Sequence, residues 1–556
     1  AAAQVANQTG NGGEFQNELR CGVRSRMAIN SNPLRIVAII PTADGLADDW
    51  AAALVTTCLL MLMSATVAAV VGVLSAWAAA VLRDARHDRM VQLWVSAMLL
   101  TVALPLILHA AAWEATAGKF GWARQTATGG NLGWVAWIHG CHGTAIIALA
   151  TFWATGRIET ATLRHAQLDG APTWVWWSVR IPRSRTSIAA SVLAVMLCAA
   201  TEMSVADLHS VRTIADQFYL FHAAAPSATS IMVTTLVPIV LGLPLLWIRW
   251  SMVTHHGIGK TSHGDAYSPI QGRAAVPLVP RTSIALATLM ASLSIIVVLV
   301  APMIGLVLKA GHSVAIVESQ RRIVWSLGQA VTSIMEAVSV FASEYGWTLL
   351  LATLTTFLWL PASWLLACWC TRRRRAAWMM DCAALVLFLI PGPVVGLFWT
   401  KVFSGDQLGL TFLATQTLVP SMLASGLRGA IVAYAILRIG FDSIPQAAQR
   451  HGQLDGNRVW RLVHVHLPLT LSHLVLAAVA MMVVVSGDVP AVLPVLPPGV
   501  TTVGTRLFGL LHSGARYQEA SLAFWYLAGM MVLAWSGRVI ARRADPYLLA
   551  NRSTIG

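Results

Sequence analysis

Runs of about twenty apolar residues return along the whole chain, each long enough to cross the hydrocarbon core of a bilayer as a helix. Inside lipid a backbone must satisfy its own hydrogen bonds, so unbroken apolar runs of this length predict helices. The fold class expected is therefore an all-α integral membrane protein. Spans are placed near residues 51–82, 91–113, 134–155, 187–205 and 228–250, then near 283–308, 346–370, 377–400, 418–437, 469–486 and 520–540. That makes about 11 transmembrane helices, five before a polar linker at 254–282 and six after it. The chain is 56% hydrophobic and 11% charged, with mean hydropathy +0.66, and a water-soluble fold of 556 residues could not carry that. No soluble domain is visible.

The net charge of +14 invites a nucleic-acid reading, but the arginines sit at span ends. One side collects Arg83, Arg86, Arg89, Arg157, Arg180, Arg183, Arg185, Lys260, Arg273, Arg372 to Arg375, Arg458, Arg461, Arg542 and Arg543. The opposite loops hold few basic residues, such as Lys119, Arg124, Arg212 and Lys401. The positive-inside rule puts the first set in the cytoplasm and makes these charges topology signals, with no nucleic-acid partner. An odd number of spans then leaves the polar segment 1–50, which does not resemble a signal peptide, outside the cell, and the tail 542–556 inside. The seven cysteines lack metal or disulfide spacing, and Cys58, Cys198 and Cys382 fall within apolar runs, as core residues do.

One heptapeptide occurs twice. Arg164-His165-Ala166-Gln167-Leu168-Asp169-Gly170 and Arg450-His451-Gly452-Gln453-Leu454-Asp455-Gly456 share six of seven residues, 286 positions apart. Each copy lies on a polar loop between apolar runs, and each leads through a Trp-bearing segment to a proline, Pro182 or Pro468. Matching flanks predict a direct repeat: a first half at 51–253 with its loop at 156–186, and a second at 283–541 with its loop at 439–468. In the second loop Ser443 and Gln446 have capping-box spacing, Pro445 suits a first helical turn, and Gly456 can end the helix. Val459, Trp460, Val463 and Leu467 then give a second short helix an apolar face before Pro468 opens the next span. Five spans against six implies that the first half lacks its opening helix, or that the chain is a fragment.

Two cytoplasmic loops of the form Leu-Asp-Gly…Pro resemble the EAA loops of binding-protein-dependent ABC transporter permeases. Leu496-Pro497-Pro498-Gly499-Val500-Thr501-Thr502, followed by Arg506-Leu507-Phe508-Gly509-Leu510-Leu511-His512-Ser513-Gly514, is similar to the iron(III) branch, whose permeases often carry two fused halves. The resemblance covers roughly residues 51–541. It implies that Arg164, His165, Ala166, Leu168, Asp169 and Gly170, with Arg450, His451, Gly452, Leu454, Asp455 and Gly456, form coupling loops docked on two copies of a cytoplasmic ATPase. It also implies an extracytoplasmic substrate-binding protein, a bacterial inner-membrane location, ferric iron as cargo, no enzymatic activity in this chain, and no cofactor bound by it. ATP and Mg would sit on the partner. Thiamine, polyamine or phosphonate could be carried by the same machinery. The sequence departs from the family pattern where Glu-Ala-Ala is expected: Arg164-His165-Ala166 and Arg450-His451-Gly452 stand there, and the Gly-to-Pro spacing is about one residue short.

Glu202 and Asp488 are also 286 apart, each at the outer end of the span after a loop. An acid deep in a membrane costs about 2.5–3.5 kcal/mol on insertion scales and usually faces a cavity or a partner. The pair, with Asp207 nearby, is a candidate translocation path; solvated interfacial acids are the other reading. Three further signals compete. Gly257-Ile258-Gly259-Lys260-Thr261 ends like a phosphate-binding loop, but Thr254 stands where its first glycine belongs and no strand precedes it. His109, His139 and His142 on neighbouring spans could ligate a haem iron, the alternative from a different class, although buried histidines are commonly just hydrogen-bonded. Val314–Ala337, with Arg321 and Arg322 among apolar residues, has the composition of an amphipathic segment on the outer surface.

Overall fold

The computed structural model describes residues 50–117, 131–156, 158, 162–163, 166, 172–255, 279–317, 320–371, 373–405, 409–444, 448, 457–513 and 516–544. Among them nine helices are long and apolar enough to cross a membrane, or up to eleven if each of two sharply bent pairs is one span. The chain is an all-α multi-pass membrane protein. Large apolar side chains such as Phe357 and Trp247, 81% and 70% exposed, cover its outside as lipid-facing residues do.

In chain order the first helices are α1 (Trp50–Asp84), α2 (Asp88–Ala103), α3 (Leu106–Ala117) and α4 (Leu132–Gly156). A helical turn at Pro172–Val175 and a π-helical turn at Trp176–Arg180 then run into α5 (Ile181–Thr201). Short helices α6 (Ser204–Leu208) and α7 (Ile214–Gln217) follow, then α8 (Ala228–His255). Next come α9 (Arg281–Ile295), a π turn, and α10 (Ala301–Ala310). The antiparallel hairpin β1 (His312–Val317) and β2 (Gln320–Trp325) leads to α11 (Leu327–Val340). The remaining helices are α12 (Ala342–Thr371), α13 (Arg374–Phe388), α14 (Gly392–Phe403) and α15 (Val419–Asp442). A turn at Arg458–Arg461 and a π turn at Leu462–His466 enter α16 (Leu467–Gly487); α17 (Val503–Ser513) and α18 (Arg516–Arg543) close the fold.

Two of the expected spans are sharply bent pairs. The stretch at 91–113 is α2 and α3, bent by 103° at Leu104-Pro105; that at 377–400 is α13 and α14, bent by 92° before Pro391. Proline cannot donate to the preceding turn, so each apolar run breaks where its proline stands. The expected separate short helix at Val459–Leu467 is corrected: it is continuous with α16 through the π turn. The Ser443 hydroxyl donates to the Gly440 carbonyl at the end of α15; Pro445, Gln446 and Gly456, the other residues of the helix expected there, lie outside the described residues. Val314–Ala337 divides into the hairpin and α11, whose first turn is capped by Ser326 accepting from Gln329 N. Cys58, Cys198 and Cys382 are half-buried rather than core.

Packing centres on two three-helix groups, α1/α4/α5 and α12/α15/α16. Close approach depends on small residues, as between membrane helices generally. Gly143 of α4 lies where an added Cβ would stand 2.5 Å from Val195 of α5, and Gly429 of α15 where it would stand 3.0 Å from Met481 of α16. At the end of each group a threonine hydroxyl receives the first amide of a later helix: Thr57 accepts from Ile214 N of α7 (3.0 Å), and Thr348 from Val503 N of α17 (2.8 Å). Those two helices are in turn capped by Thr213 and Thr502. The long terminal helices reach across the fold: α8 packs on α13 and α14, and α18 on α2, α3 and α10.

Candidate functional site

The helix breaks that end α5 and α16 place the two acids. Glu202 is the residue at which α5 stops, with extended backbone (φ −90°, ψ 138°), and Asp488 is the one at which α16 stops, with a different backbone (φ −82°, ψ 69°), just before Pro490 restarts a short turn. Glu202 is tied to its own backbone. Its carboxylate accepts from Ser204 N (2.7 Å) and Val205 N (3.0 Å), capping α6, and His139 Nε2 of α4 lies 3.7 Å away. A carboxylate at a helix N-terminus satisfies donors that nothing else in the helix can reach.

Asp488 is held differently. It is only 6% exposed, which excludes a solvated surface acid, and Arg428 of α15 places Nη1 3.5 Å from its Oδ1. Arg428 also donates from Nη2 to the Ile390 carbonyl (3.1 Å), in the break between α13 and α14. The same guanidinium acts electrostatically on Glu202 and Cys198. One cation therefore sits in the field of both acids. Sequence reasoning missed it, although a signal was there: an offset of 286 carries His142 onto Arg428, a basic residue inside an apolar span each time.

Asp207, the third predicted path residue, belongs to a second cluster. Its Oδ2 lies 3.2 Å from His512 Nε2 of α17, while His512 Nδ1 faces the Phe508 carbonyl at 2.8 Å. With an acceptor at each ring nitrogen the imidazole is suited to carry both protons. The hydrogen bond to Asp207 lifts its pKa above the usual range. Nearby Asp216 is fully buried and accepts from Arg212 at 3.1 Å; burial, helped by Asp207, pushes its carboxyl up to about 7.

Of the predicted coupling residues only Ala166, which is buried, falls among the described residues. Arg164, His165, Leu168, Asp169, Gly170, Arg450, His451, Gly452, Leu454, Asp455 and Gly456 lie outside them, as do residues 1–49 and the Gly257–Thr261 stretch. The Pro497-Pro498-Gly499 stretch forms a turn, with Val500 N donating to the Pro497 carbonyl (3.2 Å) and Gly499 at φ +83°. His109 and His142 touch edge to face, with ring centroids 5.1 Å apart. Among the described residues no group of three or more His, Cys, Asp or Glu side chains is arranged to hold a metal ion. Compared with known proteins, the chain matches no protein-family model and no curated protein.

Proposed function

We propose that this chain is the fused two-half permease subunit of a binding-protein-dependent ABC importer. The observation that carries the reading is the recurrence, at one offset, of the elements around both heptapeptides. The turn, π turn and helix that follow the first loop begin at Pro172, Trp176 and Ile181; those after the second begin at Arg458, Leu462 and Leu467, each 286 residues later. Two bent pairs, two three-helix groups, the glycines Gly143 and Gly429 and the acids Glu202 and Asp488 keep the same order. Of four π turns among the described residues, two stand at this offset, each on the way from a repeated loop into the next helix, which supports descent from one duplicated unit.

In this reading the halves are 51–253 and 283–541. The positive-inside charge pattern puts both loops in the cytoplasm, where each docks on one of two ATPase subunits. A binding protein outside delivers the solute, and ATP-driven closure of the ATPases moves the loops and turns the path outward. The chain makes and breaks no covalent bond. Its role is to offer a path with two exposures and to couple their exchange to a partner's hydrolysis. The Pro-Pro-Gly stretch favours ferric iron as cargo, and the bacterial inner membrane follows from the same resemblance.

Co-expression with the ATPase and binding protein encoded beside it, followed by uptake in proteoliposomes, tests the reading. Gly456→Val should deny the loop its helix-ending turn, so that uptake falls about tenfold or more while the chain still inserts. Unchanged uptake together with unchanged ATPase co-purification would remove the coupling role.

A further inference from the structure

Arg428 of α15 reaches two helix breaks at once. Its guanidinium contacts Asp488 at the end of α16 and the Ile390 carbonyl at the α13–α14 bend, and its charge reaches Glu202 at the end of α5. The contacts are incomplete for a buried ion pair: the Asp488 contact is one point at 3.5 Å rather than a two-pronged fork, Arg428 Nε lacks a hydrogen-bond partner, and the Ala491 amide is the other group that acts on the Asp488 carboxylate. Asp488 also lines a cavity of about 10 Å³, room for one water-sized group, together with Thr348, Ser486 and Thr502. A bidentate pair with every donor used would be a fixed strut. A one-point pair beside a small cavity can be exchanged, because the contact it gives up is a single long one.

We propose that Arg428 is the resident counter-ion of the path: it neutralises Asp488 in this conformation and is displaced by the solute, which makes it the residue that selects for positive charge. The inference rests on the permease reading and deepens it. A buried carboxylate paired with a cation gives that cation up only when another takes its place. A neutral or anionic solute brings nothing to trade and would strand Asp488. Displacement also withdraws Nη2 from the Ile390 carbonyl, so the exchange is felt at the bend of α13 and α14.

The test uses the full chain in lipid nanodiscs with Tb³⁺ as the probe, a hard trivalent stand-in for Fe³⁺ whose luminescence is sensitised by tryptophan. Arg428→Gln should bind Tb³⁺ about tenfold or more tightly than the unmodified chain. Adding Asp488→Asn to it should abolish the gain. Equal affinity in the unmodified and Arg428→Gln chains, or a gain that survives Asp488→Asn, overturns the proposal. If Arg428→Gln gives no monodisperse chain, Arg428→Lys carries the test: an ammonium cannot form the same contacts to Asp488 and Ile390, so a gain of about threefold is expected and no gain overturns it. In the assembled importer, Arg428→Gln should lower KM and kcat together, because the cation enters more readily and leaves more slowly. A fall in kcat with KM unchanged marks a merely structural arginine and overturns it. Failure of the unmodified chain to take up any solute with ATP would sink the permease reading and leave the Tb³⁺ comparison standing.

Discussion

Glu202 and Asp488 occupy the same place in the chain's 286-residue spacing, and each ends a membrane helix, yet their carboxylates are secured by opposite means. Glu202 is fixed by two amides two and three residues ahead of it, so it moves only as α6 moves. Asp488 has one local amide acting on it, that of Ala491, and beyond it a guanidinium from α15, sixty residues back in sequence, so its charged partner can be withdrawn by shifting another helix. Local backbone donors make a rigid acid. A long side chain from a neighbouring helix makes a releasable one. A shared position in the spacing need not mean a shared role: Glu202 is the standing member of the pair and Asp488 the changeable one.

Neutralising the two acids separately gives the largest expected effect. Asp488→Asn leaves Arg428 charged and mostly buried with its ion-pair partner gone, and losing one member of such a pair costs about 3 kcal/mol. Glu202→Gln keeps one carbonyl oxygen for an amide of α6 and gives up the other bond, about 1 kcal/mol. Denaturant unfolding of the purified chain in one detergent measures both. Equal losses, or a greater loss for Glu202→Gln, would break the contrast between a locally held and a distantly held acid.

The glycine crossings sharpen it at the level of packing. A Cβ at Gly143 would meet Val195, a β-branched side chain with one preferred rotamer in a helix. At Gly429 it would meet Met481, whose unbranched chain can swing away, and Val485 Cγ2 at 3.0 Å. Gly143→Ala should therefore cost about 2 kcal/mol and Gly429→Ala about 1 kcal/mol. Shifts of the thermal midpoint decide the order. A larger shift for Gly429→Ala would show that α15 and α16 are the stiffer crossing.

What the sequence disclosed and what it withheld follow from range. Apolar length is a local property, so the spans and the membrane class were legible, and the repeated heptapeptide pointed to the acids at its own offset. The bends at Pro105 and Pro391 were written as prolines inside apolar runs, but hydropathy alone averages over them. The partnership of Arg428 with Asp488 was not legible, because it joins residues sixty apart through the packing of α15 on α16. Asp207 reads in sequence as a third acid of the same path; in space it turns to His512 of α17, a pairing no local pattern encodes.

That pairing supplies the smallest prediction and extends the comparison to pH. His512 gains a partner on folding, so its pKa is raised and the contact contributes fully below the imidazole's ordinary value of about 6.5. The contribution is lost as pH rises through the raised value. Asp216 acts in the same sense: its carboxyl is lifted from about 3.8 to about 7, so the folded chain holds that proton more tightly than the unfolded chain over the interval. Wherever the folded state binds more protons, stability falls with rising pH. The His512 side chain is 37% exposed, and solvent screening keeps its share to less than about 1 kcal/mol. The thermal midpoint should fall between pH 5.5 and pH 8.5, less steeply in His512→Gln and less again when Asp216→Asn is added. A slope that survives both substitutions unchanged would remove this cluster from the account.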